Sequence, residues 1–434
     1  MRKNKFLNYS FILLITLAVE IVLLTCSARI PSVQLKENIL ESAEFLCEKQ
    51  PFFHLTEKDK ASKIDRHADA ILLNIAYSCD SSAPFASVMR SMYYYDEYAN
   101  ENDNLLYCVK NDASPTYEYM RYWHGSLAFL RPLFLFFDLS QIYVLNMILL
   151  AVLLLIAFWA IKKEYGLGTG VCFLGACFAC AVWYVPFSLE YMSTFVIAFG
   201  SVPIILRLRR KYTGSDVPVF LVLGSLTAFT DFLTTETLTF LLPLTLYILK
   251  QNEKKILFCV KSGVSWLFGY GFTWSFKWIL YSIVFRTNGL SDALASTAER
   301  TGGEAAASMN LLQQLNGALL RNLRCLFPVS LCSDRIGFVL PVLLLVLLAM
   351  VFYLVKKQKN LPDVVPVLFL IGLIPYVRFA VLSNHSYIHY FFTFRAQLVS
   401  IFCLLLIFYH GTDVAFLKQE YKKLKHKFRA KKRR

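Results

Sequence analysis

Long apolar runs, each bounded by short clusters of lysine and arginine, constrain this chain more than any other feature of its sequence. A helix needs about 20 apolar residues to cross the ~30 Å hydrocarbon core, because each residue advances it by ~1.5 Å. By that measure ten segments of the 434-residue chain qualify: 6–26, 139–161, 168–186, 189–206, 217–232, 235–250, 256–284, 336–355, 364–382 and 394–411. The expected fold class is all-α, a polytopic transmembrane helical bundle forming a single integral membrane domain over 1–434, with no internal repeat.

Basic residues test this assignment independently. With RKNK inside, alternation puts KKEY (162–165), RLRRKY (207–212), KQNEKK (250–255), KKQK (356–359) and the tail KQEYKKLKHKFRAKKRR on one side. The positive-inside rule makes that side cytoplasmic, both termini included, as in a multi-pass protein of the cell membrane. The net charge of +15 therefore reports topology. Membrane lipids are expected partners and nucleic acid is not. Two loops then lie outside the cell, 27–138 and 286–335, and a basic tail, 412–434, lies within. The stretch 217–250 fits two short spans or one re-entrant hairpin, and 168–206 is interrupted by Pro186 and Glu190, with the same parity either way. The first run starts like a signal peptide but is longer and holds Glu20, so a retained anchor is expected.

Of the eleven cysteines only Cys177 and Cys180 stand as CxxC, inside an apolar run, and no second pair completes a metal-ligand spacing. Cys172, Cys177 and Cys180 read as small apolar residues of a span. Cys47, Cys79, Cys108, Cys325 and Cys332 fall in the outer loops, where a disulfide of unreadable pairing could form. In the first loop Ile64, Ala68, Ile71, Leu72 and Ile75 recur at helical spacing, which predicts an amphipathic helix on the membrane face. The run SLAFLRPLFLFFD (126–138) is too short to span and is broken at Arg131-Pro132, so it belongs at the interface.

Charge at the outer ends of spans is the informative anomaly. Lys277, Arg286, Arg378 and Arg395 fall there, and Arg121 and Arg131 approach from the first loop. Together they could surround a phosphate, with Arg as planar fork and Lys as point charge; singly, each could snorkel to headgroups. Asp69, with Asp65 four residues before it, is the acidic counterpart. A carboxylate at the surface can act as general base, and two on one helix face could hold a divalent ion or raise one another's pKa. A solvated helix face is the plain alternative. Asp231 and Glu236 form a second acidic pair, for which Lys277 or Arg378 would be natural partners. In RYWHG, Tyr122 and Trp123 offer flat faces for sugar rings or for an interface belt, and His124 a donor to hydroxyl or phosphate.

The stretch NHSYIHYFFTFR (384–395) sets His385 and His389 as HxxxH, a spacing that can bind zinc on a helix. The Glu of HExxH and a third ligand are missing, so no metal site is assigned, and sugar or phosphate recognition fits better. No P-loop, GxGxxG or GxSxG pattern occurs and no cofactor is expected, a divalent metal remaining open. GYGFTW (269–274) reads as close helix packing through small residues.

An anchor helix, a large outer loop with an early acid and interfacial helices, then many spans with outer basic residues: this layout, over the whole chain, resembles the GT-C class of membrane glycosyltransferases. The motifs DAILLN (69–74), RYWHG with RP (121–132), TDFLTTE (230–236) and NHSYIHYFFTFR look like those of uncharacterised bacterial membrane proteins of the same general shape. The resemblance implies a first-loop acid as base and a polyprenyl-phosphate sugar as donor. It maps the base to Asp69 and phosphate contacts to Arg121, Arg378 or Arg395. Asp69 lies about forty residues past the first helix, farther than the class usually places its acid, which leaves Asp65, Glu20 and Glu37 open. The expected activity is transfer of a sugar to a cell-surface glycan or lipid acceptor, with polysaccharide polymerase and lipid-linked-sugar flippase as alternatives.

Overall fold

The computed structural model describes residues 2–211, 217–251, 254–289, 291, 298, 300, 309–333 and 363–411. These are mostly helical. Five helices are long and apolar enough to cross a membrane: Asn8–Ala28, Leu139–Tyr165, Leu189–Arg210, Lys255–Phe285 and Tyr390–Gly411. Four of the other expected spans form shorter apolar helices, Leu167–Ala179, Pro218–Thr230, Thr237–Ile248 and Val365–Val381. The expected span 336–355, the cluster KKQK and the basic tail lie outside the described residues.

In chain order the helices are α1 (Arg2–Ala28), α2 (Lys36–Cys47), α3 (Arg66–Tyr77), α4 (Pro84–Arg90), α5 (Glu101–Asn111) and α6 (Leu127–Leu133). Then come α7 (Leu139–Tyr165), α8 (Leu167–Ala179), α9 (Leu189–Lys211), α10 (Val217–Thr230), α11 (Thr237–Ile248) and α12 (Lys255–Phe285). The last described are α13 (Leu311–Arg324), α14 (Val365–Val381), α15 (Ser383–Ile388), α16 (Tyr390–Thr393) and α17 (Gln397–Gly411). Two small antiparallel pairs join them: β1 (Phe52–His54) with β2 (Lys63–Asp65), and β3 (Met92–Tyr93) with β4 (Tyr117–Glu118).

One apolar core unites α7, α8, α9, α11 and α17 through residues such as Phe173, Phe199, Leu242 and Phe402. The outward faces are apolar as well: Val144, Ile148, Leu155 and Trp159 of α7 are exposed, a surface suited to lipid. The expected span 168–186 stops at α8, because Ala181 takes a left-handed φ of 48° and Pro186 sits in the 3-10 turn Val182–Phe187.

A second core, in the loop 27–138, differs from the surface helix expected there. Leu35 before α2, its Ile39 and Leu46, Leu73 and Ala76 of α3, and Leu105 and Val109 of α5 are buried together, continuous with Leu24 of α1 and Ile142 of α7. The apolar stripe of α3 therefore faces neighbouring helices within a folded cap and not a membrane surface. Two helix C-termini in this region are capped by cations, as the helix dipole favours. Arg66 donates to the carbonyls of Phe45 (2.6 Å) and Leu46 (3.0 Å) at the end of α2, and Arg131 to those of Ser27 and Ile30 after α1. All eleven cysteines are free thiols.

Candidate functional site

Strand β2 ends at Asp65, whose extended backbone and side chain start α3: Oδ1 accepts the Ala68 N–H at 2.8 Å. Asp65 is thus the cap and Asp69 lies in the first turn, so the two carboxylates do not share a helix face as their spacing suggested. Asp65, His67, Ala68, Ile71 and Leu72 line a cavity of about 250 Å³, close to the ~300 Å³ lower end of small-molecule sites. Its other walls come from Tyr119, Arg121, Tyr122 and His124, from Glu190 at the start of α9, from Phe232 and Arg300, and from Asn384, His385, Ile388, His389 and Phe392. Two further cavities, of about 490 and 330 Å³, are walled by side chains such as Leu154 and Trp183, or Leu326 and Phe369, with no charged residue among the described residues that line them.

The chemistry of the smaller cavity is therefore distinct. Burial holds the Asp65 carboxyl above its usual range. Burial also works against a charged His67, but the bond from Nδ1 to Glu101 Oε2 (3.2 Å) and the charges of Glu101 and Asp65 prevail and raise its pKa. The other imidazoles move the opposite way. Burial pushes His124 down to about 3 and His389, with Arg378 adding to it, down to about 4; His385 falls well below its ordinary value for the same reasons. At neutral pH these three rings are uncharged, so positive charge in the cavity rests with Arg121 and Arg300, and with His67 when protonated. Nδ1 of His124, His385 and His389 and Oε2 of Glu190 are buried without a partner among the described residues. Buried polar atoms are nearly always satisfied, which makes these four a set suited to a polar ligand.

Local backbone explains the lining of RYWHG. His124 has a left-handed φ of 53°, its Nε2 lies 3.1 Å from the Tyr119 carbonyl, and Gly125 N–H donates to the Phe229 carbonyl at 2.8 Å. A Cβ on Gly125 would come within 2.4 Å of that same oxygen, so only glycine allows the approach. The carbonyl of Arg121 accepts from Trp274 (2.9 Å) and Trp278 (3.2 Å), and Arg300 donates to the Tyr122 hydroxyl.

Several expected site residues lie elsewhere. Asp69 is fully buried against the next layer, accepting from Tyr143 Oη (2.5 Å), Ser188 Oγ (3.1 Å) and the Leu189 N–H (2.9 Å). Trp123 is buried with Nε1 on the Thr273 carbonyl (2.8 Å), leaving no face for a sugar. Asp231 closes a local turn with Thr234 (2.5 Å to Oγ1), and Glu236 pairs with Arg378 (2.8 Å) as charge balance suggested. Lys277 is buried on Ser91 Oγ (3.1 Å) and the Tyr122 carbonyl. Arg395, also buried, donates to the carbonyls of Phe391 and Ala61 (both 3.2 Å) and packs on Tyr191. Arg286 is exposed. Each buried cation has bound backbone oxygens or a carboxylate of its own, which removes it from phosphate binding.

His385 and His389 do come together, with ring centroids 4.7 Å apart. Among the described residues no group of three or more His, Cys, Asp or Glu is arranged to hold a metal ion. Sequence reasoning passed over His67, Glu190 and Arg300. Glu190 carried a signal, a lone acid inside an apolar run, but registered only as an interruption. His67 sits between the two carboxylates that drew attention, and Arg300 lies in a small, polar run with no periodicity. Comparison with protein families, with curated proteins and with solved structures gives no match.

Proposed function

We propose that this chain is a membrane glycosyltransferase with a GT-C-like layout of about ten spans, transferring a sugar from a polyprenyl-phosphate donor to a cell-surface glycan or lipid acceptor. The reaction takes place at the extracytoplasmic face of the cell membrane, with both termini cytoplasmic. One observation carries this reading: a single cavity beside apolar helices gathers two carboxylates, Asp65 and Glu190, two guanidiniums, Arg121 and Arg300, and three neutral imidazoles. Asp65 takes the base role, since it faces the cavity while Asp69 supports the wall behind it.

As Asp65 removes the acceptor proton, the acceptor oxygen attacks the anomeric carbon. The bond from that carbon to the phosphate oxygen breaks, and its electron pair leaves on the phosphate. Arg121 and Arg300 neutralise the charge that develops there. The neutral imidazoles and Glu190 hold sugar hydroxyls.

The test incubates purified protein in liposomes with radiolabelled polyprenyl-phosphate sugars and a glycan or lipid acceptor. Wild type should transfer label, and Asp65→Asn should lose at least ~100-fold in rate, the usual worth of a general base. Label that crosses the bilayer without transfer would make the protein a flippase instead.

A further inference from the structure

His67 is held in place from three directions. Its ring stacks on Phe52 (centroids 5.5 Å apart, planes 24° apart), its backbone N–H donates to the Pro51 carbonyl (3.3 Å), and its Nδ1 meets Glu101 Oε2 at 3.2 Å. A carboxylate only accepts, so Nδ1 carries the proton and Nε2 of the neutral ring is the basic nitrogen. Asp65, two residues away, is 3% exposed, whereas the His67 side chain is 37% exposed. A buried acid that has taken up a proton has poor access to bulk water; a partly exposed imidazole on the same cavity wall has more.

We infer that His67, oriented by Glu101, is the proton relay of this cavity, passing to water the proton that Asp65 takes from the acceptor hydroxyl. The inference rests on the glycosyl-transfer reading. After transfer Asp65 is a neutral carboxylic acid. Its proton moves to Nε2, giving a carboxylate and an imidazolium whose Nδ1–H stays on Glu101. The imidazolium then yields its Nε2 proton to water, and both groups return to their starting states. The charged groups around the ring suit this cycle: Glu101 from α5 and Asp65 stabilise the cation. Arg121 and Arg300 face the same space and limit how long the cation persists.

Two measurements test the relay on full-length protein. In steady-state transfer His67→Ala should be at least tenfold slower, with the rate restored by added imidazole, whereas a single turnover, which needs only an ionised Asp65, should be unchanged. Asp65→Asn should lose both. In nitrogen-15 spectra of labelled histidines, with the His67 signal identified by its loss in His67→Ala, neutral His67 should be the Nδ1–H tautomer and should lose that preference in Glu101→Gln. Equal slowing of single and multiple turnovers by His67→Ala, no imidazole rescue, or an Nε2–H tautomer in wild type would each overturn the relay alone. Absence of transfer by wild type overturns the glycosyltransferase reading and the relay with it.

Discussion

Arg378 and Glu236 form a two-pronged ion pair, Nε to Oε1 at 2.8 Å and Nη2 to Oε2 at 3.1 Å, with side chains only 5% and 7% exposed. Arg378 also donates to the Leu233 carbonyl (2.7 Å) and to Ser386 Oγ (3.2 Å), so one guanidinium ties α14 to the α10–α11 turn and to α15, which carries His385 of the cavity. Removing one partner of a buried pair leaves the other charge stranded, at a cost of about 3–5 kcal/mol. Glu236→Gln and Arg378→Ala should each lower the unfolding temperature in detergent, reflecting a stability loss of about 3–5 kcal/mol. The double variant Glu236→Leu, Arg378→Met should recover most of the loss. If the double variant is as unstable as either single one, the penalty comes from packing and not from the stranded charge.

The contact between α10 and α12 depends on absent side chains. A Cβ on Gly269 would lie 2.1 Å from the Leu221 carbonyl oxygen, and one on Gly224 2.2 Å from that of Trp266. Both obstacles are backbone, so neither can turn aside as a side chain would. Overpacking of this kind costs about 1–3 kcal/mol per site. Gly269→Ala and Gly224→Ala should each be destabilised by that amount in a denaturant titration, while Gly271→Ala, where a Cβ meets nothing within 4 Å, should be at least as stable as wild type, because alanine favours a helix interior over glycine by about 0.5–1 kcal/mol.

These two relationships mark what the sequence makes legible. GYGFTW read as close helix packing because a glycine in an apolar span has few other uses, and Gly269 packs so. The pairing of Glu236 with Arg378 followed from charge balance, since a lone ion beside apolar helices is costly. The long apolar helices were legible from length alone. The cap was not: period and polarity show that α3 has two faces, but only the positions of α2 and α5, far along the chain, decide that its apolar face meets protein. The same limit hid the division between Asp65 and Asp69. Spacing of four implies one face only if the helix already includes the first residue, and here Asp65 caps it from outside. Arg395 and Lys277 looked available because a sequence shows charge and not the carbonyl oxygens that use it.

At the C-terminal end of α7, one carboxylate serves three cations. Glu164 at the end of α7 accepts from Arg209 (2.9 Å) and Arg210 (2.6 Å) of α9 and from Lys250 after α11 (3.0 Å). Arg210 and Lys250 are about half exposed, which limits each to roughly 1 kcal/mol or less. Glu164 itself is 6% exposed and common to all of them. Glu164→Gln should therefore cost more than Lys250→Ala, about 1–3 kcal/mol for a lost charged hydrogen-bond set. Thermal unfolding of both variants in low and high salt checks the ranking, and raising salt should narrow the gap between wild type and Lys250→Ala first.

Asp69 should leave a signature in the pH dependence of stability. Burial, with the charge of Asp65 adding to it, pushes its carboxyl up to about 7, more than the bonds from Tyr143, Leu189 and Ser188 pull it down. A folded-state pKa raised above the unfolded value near 3.8 means the native state binds the proton more tightly. The associated stability is then complete below about pH 4 and is lost progressively as pH rises through 7, amounting to a few kcal/mol on the order-of-magnitude scale of ~1.4 kcal/mol per pKa unit. The neutral isostere Asp69→Asn cannot titrate. The difference in unfolding free energy between wild type and Asp69→Asn should therefore be largest in favour of wild type near pH 4 and shrink steadily toward pH 8. A difference that is flat across that interval, or that grows with pH, would mean Asp69 is an ordinary ionised carboxylate in the folded protein and that its hydrogen bonds, not its burial, set its charge.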